Sequence, residues 1–234
     1  MTPTTPDSAD GEARVDRGRR AALQLLVASC VAGCSTDPVL PGLYRTADLL
    51  FRHQPRYPLT RAQADELPYA SLGASFGNGR GAVLILASYD GADLRWVSAD
   101  RVLLVTRGGR LVKTAGLPQD LRRAEFVGGD PVLAGLHRLN NPVVAECQLD
   151  LLPGNEFGVP AHTRFTPGAR ESITILDRSC DVVRVEERIT VPLWNWSATN
   201  TWWADAATGF VWRSIQQFCP QTPAITLETL KPPA

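Results

Sequence analysis

The sequence predicts an all-β domain, mainly an antiparallel sandwich or a partly open barrel, with one or two short helices on its N-terminal side. Two observations lead to this prediction. From Tyr69 onward, apolar runs of strand length alternate with turn residues at regular spacing. Several turns carry glycine, which tolerates the positive φ of tight hairpins, as in Asn78-Gly79, Asp90-Gly91 and Gly108-Gly109. The 19 glycines and 18 prolines among 234 residues also favour many turns.

The elements follow one another in a regular order. A helix is expected over residues 42–52, with its apolar side chains on one side and prolines after it. Thr60 can cap a second, short helix over residues 61–66. Residues 117–123 are predicted as a short helix or a turn. The predicted strands cover residues 70–76, 82–88, 94–98, 102–106, 111–114, 143–151, 172–176, 182–189, 201–204, 210–218 and 224–230.

Residues 1–33 have the features of a lipoprotein signal peptide. Three arginines, the last of them Arg20, precede about a dozen mostly apolar residues, a stretch too short to cross a bilayer. The stretch ends at Val31-Ala32-Gly33-Cys34, which resembles a bacterial lipobox. Cys30 ends a second match, but cleavage there would leave an apolar region of only about eight to nine residues. We therefore predict lipidation of Cys34, with Cys30 as the alternative.

The predicted mature chain has two parts, a tether over residues 34–41 and a single β-rich periplasmic domain over residues 42–234. Residues 1–14 are polar and unlike the start of a signal peptide, so we hypothesise that translation starts at Val15 and that these residues are a gene-model artefact. Ser35, and not an aspartate, follows Cys34, which by the enteric sorting rule implies the outer membrane. The expected location is the periplasmic face of that membrane, with lipid chains in the bilayer.

Composition argues against several classes of function. Positively and negatively charged residues balance at 24 each, so no basic field indicates nucleic acid. Beyond the signal peptide, Cys147, Cys180 and Cys219 allow one disulfide in an oxidising compartment and leave at least one thiol, with the pairing open. The chain has no Cys-x-x-Cys motif and its three histidines are widely separated, so neither a metal nor a cofactor is predicted.

Two patterns typical of enzymes are better explained otherwise. Gly73-Ala74-Ser75-Phe76-Gly77 fits the Gly-x-Ser-x-Gly motif of hydrolases, but a hairpin follows it where a nucleophile elbow needs a helix. Glu186-Glu187 lies in a strand of alternating polarity, so one of the two carboxylates is expected to face solvent. A glycosidase needs two carboxylates about 5–10 Å apart across a cleft, an arrangement that sequence does not show.

Tryptophan is concentrated in one segment, since five of the six lie between residues 194 and 212. Trp194 and Trp196 alternate with polar residues, so both point to one face of a strand, or they lie on a loop between strands. Exposed aromatic rings can stack on sugars, and we keep these two as candidate binding residues beside the alternative of core packing. Trp202 and Trp203 are adjacent and point to opposite faces, so one of them is expected in the core.

Several longer segments carry a resemblance to a known family. They are residues 67–71, 96–100, 104–114, 200–209, Ser214, Gln216 and residues 230–233. In these segments the chain resembles the YjbF-type lipoproteins, also described as group 4 capsule polysaccharide lipoproteins. The resemblance implies a mostly β fold and an outer-membrane lipoprotein encoded beside exopolysaccharide or capsule export proteins, among them an outer-membrane barrel protein and a periplasmic protein. It implies no catalytic residue.

Nine residues of these segments are expected to have structural roles: Trp96, Asp100, Gly109, Arg110, Thr114, Trp203, Asp205, Thr208 and Gly209. Gly109 supplies positive φ in a tight hairpin, and Trp96 is large enough to fill a sheet core. Asp205 and Thr208 can bond backbone amides in the turn before Gly209. The alternative is that these hairpins form a face that docks a partner.

The sequence thus predicts a non-enzymatic accessory factor of exopolysaccharide or capsule secretion, anchored to the outer membrane. It would bind a partner of the export system, a barrel or a periplasmic protein, or the polysaccharide itself. Two alternatives stay open. One is a periplasmic polysaccharide-modifying enzyme that uses carboxylates, as glycosidases do. The other is a structural envelope lipoprotein that stabilises a barrel partner.

Overall fold

A computed structural model describes residues 56–233, and in this part of the chain twelve antiparallel strands form one sheet, which confirms the all-β prediction. Two short helices, α1 (Arg61–Glu66) and α2 (Pro131–Gly135), and two 3-10 turns, Leu136–Arg138 and Pro192–Trp194, accompany the sheet. The strands are β1 Ser71–Phe76, β2 Ala82–Asp90, β3 Asp93–Ser98, β4 Leu103–Arg107, β5 Arg110–Ala115, β6 Asp120–Val127, β7 Val143–Leu152, β8 Glu156–Ile175, β9 Arg178–Val191, β10 Trp196–Asp205, β11 Val211–Gln216 and β12 Ile225–Lys231.

The N-terminal predictions lie outside the described residues. They are the signal peptide over residues 1–33, the tether over residues 34–41, the helix over residues 42–52, and the two candidate lipidation sites, Cys30 and Cys34.

The order of strands across the sheet is β5-β4-β3-β2-β1-β12-β11-β10-β9-β8-β7-β6. Neighbours in this order are also consecutive along the chain, except where β1 pairs with β12. The first and last strands of the order, β5 and β6, are again consecutive along the chain. The sheet therefore curls into a nearly closed barrel, which is one of the two architectures that the sequence left open.

Side chains join β5 to β6 and so bridge the seam of the barrel. Thr114 Oγ1 donates to Asp120 Oδ1 at 2.8 Å and accepts from the Leu121 N–H at 2.9 Å. Asp120 also accepts from the backbone N–H groups of Gly116 and Leu117, at 3.1 Å in each case. These bonds connect the two strands that the backbone ladder leaves at opposite edges of the sheet.

Because neighbouring strands are antiparallel, their connections alternate between the two ends of the barrel. One end, which we name the α2 end, has the connections 91–92, 108–109, 128–142, 176–177 and 206–210. The other, which we name the Trp194 end, has the connections 77–81, 99–102, 116–119, 153–155, 192–195 and 217–224.

Alternate strand positions fill the barrel with apolar side chains. The main core cluster includes Leu72, Leu84, Trp96, Leu104, Leu149, Ile189, Ile225 and Leu227. A second cluster packs α2 and the 3-10 turn that follows it, together named the α2 segment (residues 131–138), against the strands. This cluster includes Val132, Leu136, Phe165, Val185 and Trp202.

The segment before β1 covers the outer face of the sheet. The Tyr57 ring lies so close to Gly73 and Gly81 that a Cβ at either position would be 2.4 Å from a ring carbon. Glycine is needed at both positions because of this close approach. Thr60 caps α1 through a full capping box with Gln63, which confirms the helix predicted over residues 61–66.

Three local predictions need correction. The helix or turn predicted over residues 117–123 is correct as a turn only for residues 117–119, because β6 begins at Asp120 and its Leu121 is buried inside the barrel. The helix α2 in the connection 128–142 was missed. Strand β8 is 20 residues long, although only its end was predicted, because polar residues at its exposed positions interrupt the apolar run.

Replacing Thr114 tests the seam. Thr114→Val keeps the shape of the side chain but leaves the buried Leu121 N–H without its acceptor and removes one donor from the half-buried Asp120, which costs about 1–3 kcal/mol. We expect the midpoint of urea unfolding to fall accordingly. The control is Thr199→Val at an exposed position of β10, expected to change the free energy of unfolding by less than ~0.5 kcal/mol. Equal stability of the two variants would contradict the bridging role of Thr114.

Candidate functional site

Two hairpins of the α2 end, β4–β5 and β10–β11, contact each other across the mouth of the barrel. Gly108 (φ 58°) and Gly109 (φ 92°) form the two-residue turn between β4 and β5. A Cβ on Gly109 would lie 2.6 Å from Val211 Cβ, which belongs to the other hairpin. Any side chain at position 109 would therefore push the two hairpins apart.

The carboxylate of Asp205 holds the turn of the β10–β11 hairpin. Its Oδ1 accepts from the N–H groups of Ala207 (3.1 Å) and Thr208 (2.8 Å) and from the Thr208 hydroxyl (2.9 Å). Its Oδ2 accepts from Trp212 Nε1 at 3.2 Å. Partial burial raises the pKa of Asp205, but the hydrogen bonds outweigh this effect and hold the pKa below its ordinary value.

The α2 segment lies against the same hairpin. A Cβ on Gly209 (φ 80°) would be 2.2 Å from Nδ1 of His137, so the imidazole lies directly over this glycine. At the start of α2, Asp130 Oδ1 accepts from the Val132 N–H at 2.9 Å and caps the helix. The two hairpins and the α2 segment thus surround the mouth of the barrel together.

An open cavity of about 350 Å³ lies between these three elements. Its volume is in the range of small-ligand pockets. A few hydroxyl groups line it, including those of Thr106, Ser214 and Thr229. The rest of the wall is mainly apolar, and Leu133 and Phe210 are exposed, at 49% and 36%. The apolar residues of the wall are Leu72, Leu94, Trp96, Val132, Leu133, Phe210, Val211, Trp212, Leu227 and Pro233.

Inside the barrel, the side chain of Arg110 lies between two carboxylates and is only 7% exposed. Its guanidinium donates to Glu187 of β9 at 3.2 and 3.3 Å and to Asp130 Oδ1 at 3.0 Å. Burial lowers the pKa of Arg110, but the charges of Glu187 and Asp130 more than offset this and hold the pKa above its ordinary value. Arg110 is therefore a permanently charged group in the interior.

Further groups complete the surroundings of this ion pair. Glu187 also accepts from Asn200 Nδ2 at 3.2 Å and from Trp202 Nε1 at 3.1 Å. The guanidinium of Arg110 lies 4.3 Å from the ring centroid of Phe126 and 4.8 Å from that of Trp202. The free space beside Arg110 and Glu187 is only about 20 Å³. This network is closely packed and leaves no room for a sugar ring.

Sequence reasoning missed the network, although the alternation of β9 contains a signal for it. Glu187 shares a strand face with the buried residues Val183, Val185 and Ile189, whereas Glu186 is exposed, so one of the adjacent carboxylates faces solvent as predicted. A carboxylate on an apolar face needs a buried donor or cation. Arg110 is that partner, but it is 77 residues away in the chain, and alternation does not connect the two.

Trp194 and Trp196 lie at the opposite end of the barrel from the cavity. Their side chains share one side, with 6.3 Å between the ring centroids, and Asn195 between them has a left-handed φ of 45°. Trp194 Nε1 donates to Glu156 Oε2 at 2.8 Å. Both rings are half-buried against the main core. The structure thus separates these candidate binding residues from the hairpins of the α2 end.

The other residues singled out by the sequence lie in different parts of the barrel. Trp96 is buried in the main core, and Asp100 is exposed in the connection between β3 and β4. Of the adjacent tryptophans, Trp202 is fully buried and Trp203 is half-buried on the outer face, so one is in the core as expected.

The cysteines of the described part of the chain are buried and unpaired. Cys147 and Cys219 belong to the main core cluster, while Cys180 packs beneath the segment before β1. The disulfide that the sequence allowed is therefore not formed among them. Burial raises the pKa of the Cys147 thiol to about 12, which makes it unreactive. Within residues 56–233, no group of three His, Cys, Asp or Glu side chains is arranged to hold a metal ion.

Comparison with known proteins identifies the class of the protein. The sequence model of a family described as group 4 capsule polysaccharide lipoprotein GfcB, YjbF, matches residues 44–230. The chain therefore belongs to the YjbF family, which confirms the resemblance seen in its sequence.

Two individual relatives are similar over most of their length. The chain is 29% identical over 175 residues to the uncharacterized lipoprotein GfcB of Escherichia coli (strain K12), which covers 73% of this chain and 79% of GfcB. The crystal structure of the hypothetical lipoprotein YmcC from Escherichia coli (K12) is 24% identical, with a TM-score of 0.68 over 86% of this chain and 100% of YmcC. YmcC therefore shares the fold. No helix in residues 56–233 is long and apolar enough to span a membrane.

Replacing Arg110 tests the buried ion pair. Arg110→Met leaves Glu187 and Asp130 in the interior without their cation, so the free energy of unfolding should fall by about 3–5 kcal/mol. The matched control is Arg107→Met, which breaks a partly exposed pair with Asp93 and should cost at most about 1 kcal/mol. Urea unfolding of both variants measures the difference. An equal loss of unfolding free energy in the two variants would show that the buried ion pair of Arg110 stabilises the fold no more than the partly exposed pair of Arg107 does.

Asp205→Asn tests the charge of the turn carboxylate. The pKa of Asp205 is lower in the folded chain than its ordinary value, so the ionised group stabilises the fold above that value and this contribution is lost as the pH falls through the folded-state pKa. We expect wild type to be more stable than Asp205→Asn at neutral pH, and the difference to shrink once the pH falls below the ordinary aspartate pKa of about 3.9. Urea unfolding at neutral pH and below this pKa measures it. A difference that does not depend on pH would show that the charge has no effect.

Proposed function

We propose that this lipoprotein is a non-enzymatic accessory factor of exopolysaccharide or capsule secretion that binds a partner protein of the export system. The observation that carries the proposal is the open, mainly apolar cavity that the two hairpins and α2 form at one end of the barrel. The family, described by its group 4 capsule polysaccharide lipoproteins, supplies the setting. The partner is an outer-membrane barrel or a periplasmic protein.

The buried carboxylates favour binding over glycoside cleavage. Asp130 and Glu187 are both held by Arg110, and the free space beside Arg110 and Glu187 is about 20 Å³. A glycosidase places its two carboxylates on either side of a cleft that admits the sugar. Here the same pair of carboxylates stabilises a cation and positions α2.

The wall of the cavity favours a polypeptide over a sugar chain. Apolar side chains, mainly leucine and valine with Phe210 and two tryptophans, form the larger part of the wall, and Leu133 and Phe210 extend the apolar surface outward. The hydroxyl groups of a sugar would lose water in such a cavity and find few partners. An apolar or aromatic side chain of a protein partner would release water from both surfaces, as anchor residues do in protein interfaces.

Attachment to the outer membrane is part of the proposal. GfcB and YmcC are both described as lipoproteins, and the lipobox of this chain offers Cys34 for modification. Each buried methylene contributes about 0.8 kcal/mol and a single acyl chain holds only weakly, so attachment depends on several chains. Ser35 after the modified cysteine supports the outer membrane as the location.

A charge at the rim of the cavity tests the binding role. Cells that carry Leu133→Asp as their only copy are expected to show several-fold less surface polysaccharide, because an aspartate at this half-exposed position opposes apolar contact. A photo-crosslinker at position 133 should attach to a protein of the export system. The control is Val144→Asp on β7, a 71% exposed position that does not line the cavity, which should leave the polysaccharide unchanged.

Three other outcomes would contradict the proposal. Normal polysaccharide with a folded, lipidated Leu133→Asp protein would exclude the cavity as the working surface. Crosslinks to polysaccharide in place of protein would make the polymer the ligand. Release of new reducing ends from purified polymer by the purified protein would show an enzyme.

A further inference from the structure

We propose that the Trp194 end of the barrel lies against the membrane that carries the anchor, with its aromatic and aliphatic rim at the level of the lipid headgroups. The inference rests on the proposed lipid anchor and adds an orientation to it. The α2 end, with the cavity, then faces away from the bilayer.

The rim of the Trp194 end exposes large apolar side chains next to two tryptophans. Leu193 is 70% exposed and Phe157 is 57% exposed. The two segments that carry them are close together in space, because Glu156, which precedes Phe157, accepts a hydrogen bond from Trp194, which follows Leu193. Trp194 and Trp196 are half-buried, so part of each indole ring is exposed at the surface. Tryptophan beside exposed leucine and phenylalanine is the composition of surfaces that lie in a membrane interface.

The backbone of the same rim lacks several N–H groups that would lose water on contact with a bilayer. Its connections contain five exposed prolines: Pro118, Pro153, Pro192, Pro220 and Pro223. Proline has no N–H, so each one removes a backbone donor that would otherwise lose water at the bilayer surface. The six connections carry few charged residues, namely Arg80, Asp100 and Arg101.

The described part of the chain begins at this end of the barrel. The carbonyl of Arg56, the first described residue, accepts from the N–H of Gly81 in the β1–β2 connection at 3.0 Å. The Arg56 guanidinium donates to Ser75 Oγ at 3.2 Å, and the ring of Tyr57 lies on Gly81. Arg56, the first described residue after the lipidation site, therefore lies at the Trp194 end.

The length of the intervening chain allows contact between this rim and the bilayer. There are 21 residues between Cys34 and Arg56, which span at most about 75 Å when extended. A lipid anchor on Cys34 keeps the rim at a high local concentration near the surface, so even weak contacts of Leu193 and Phe157 would be occupied. An anchor that left from the α2 end would instead bring the cavity to the membrane.

Site-directed spin labels on the lipidated protein test this orientation. The protein is placed in vesicles of phosphatidylethanolamine and phosphatidylglycerol, with a nitroxide on Leu193→Cys or Phe157→Cys. The matched control is Tyr89→Cys, which is 58% exposed near the α2 end. The native cysteines of the described chain are buried and do not compete for the label. We expect the ratio of relaxation by oxygen to relaxation by a water-soluble nickel reagent to be several-fold higher at positions 193 and 157 than at position 89.

Flotation of the protein with the vesicles separates this inference from the anchor. Equal ratios at all three positions, with a protein that floats, would overturn the membrane contact and leave the anchor intact. A protein that does not float would overturn the anchor and the orientation with it. A label at position 193 that is protected only after polysaccharide is added would assign the rim to the polymer and also overturn the inference.

Discussion

A positive charge inside the barrel constrains the rest of the structure. Moving the guanidinium of Arg110 out of water costs several kcal/mol, and only well-placed carboxylates and ring faces offset that cost. Glu187 comes from β9, Asp130 from the residue before α2, and Phe126 from β6 across the seam. The strands must therefore close in one register for this charge to be satisfied. Thr114 and Asp120 join the same two edge strands further along the seam.

The same ion pair fixes the wall of the cavity. Asp130 accepts from Arg110 with both oxygens and from the Val132 N–H at the start of α2. One carboxylate thus attaches α2 to the interior and caps it. Val132 and Leu133 of this helix line the cavity. The shape of the proposed binding surface depends on a buried charge that the ligand itself would not touch.

Local patterns in the sequence were sufficient for much of the fold. Gly108-Gly109 and Asp205 to Gly209 mark hairpins because positive φ and side-chain caps act over a few residues. The start of β6 at residues 120–123 was misread and most of β8 was missed. Exposed arginines and other polar residues interrupt the apolar run of these strands, although one face of each strand packs inward. Trp194 and Trp196 were correctly placed on one side, but their position opposite the cavity depends on the order of the strands.

The sequence by itself determined the strand-rich fold class, the main hairpins, α1 with its capping box and membership of the YjbF family. Each of these depends on residues that are close together in the chain. Only the tertiary structure decided that the sheet closes, that Arg110 meets Glu187, and that the cavity and the tryptophan rim lie at opposite ends. Alternation tells which face a residue is on, but not which residue it meets there. That choice depends on contacts between segments far apart in the chain, and the closed barrel brings them together.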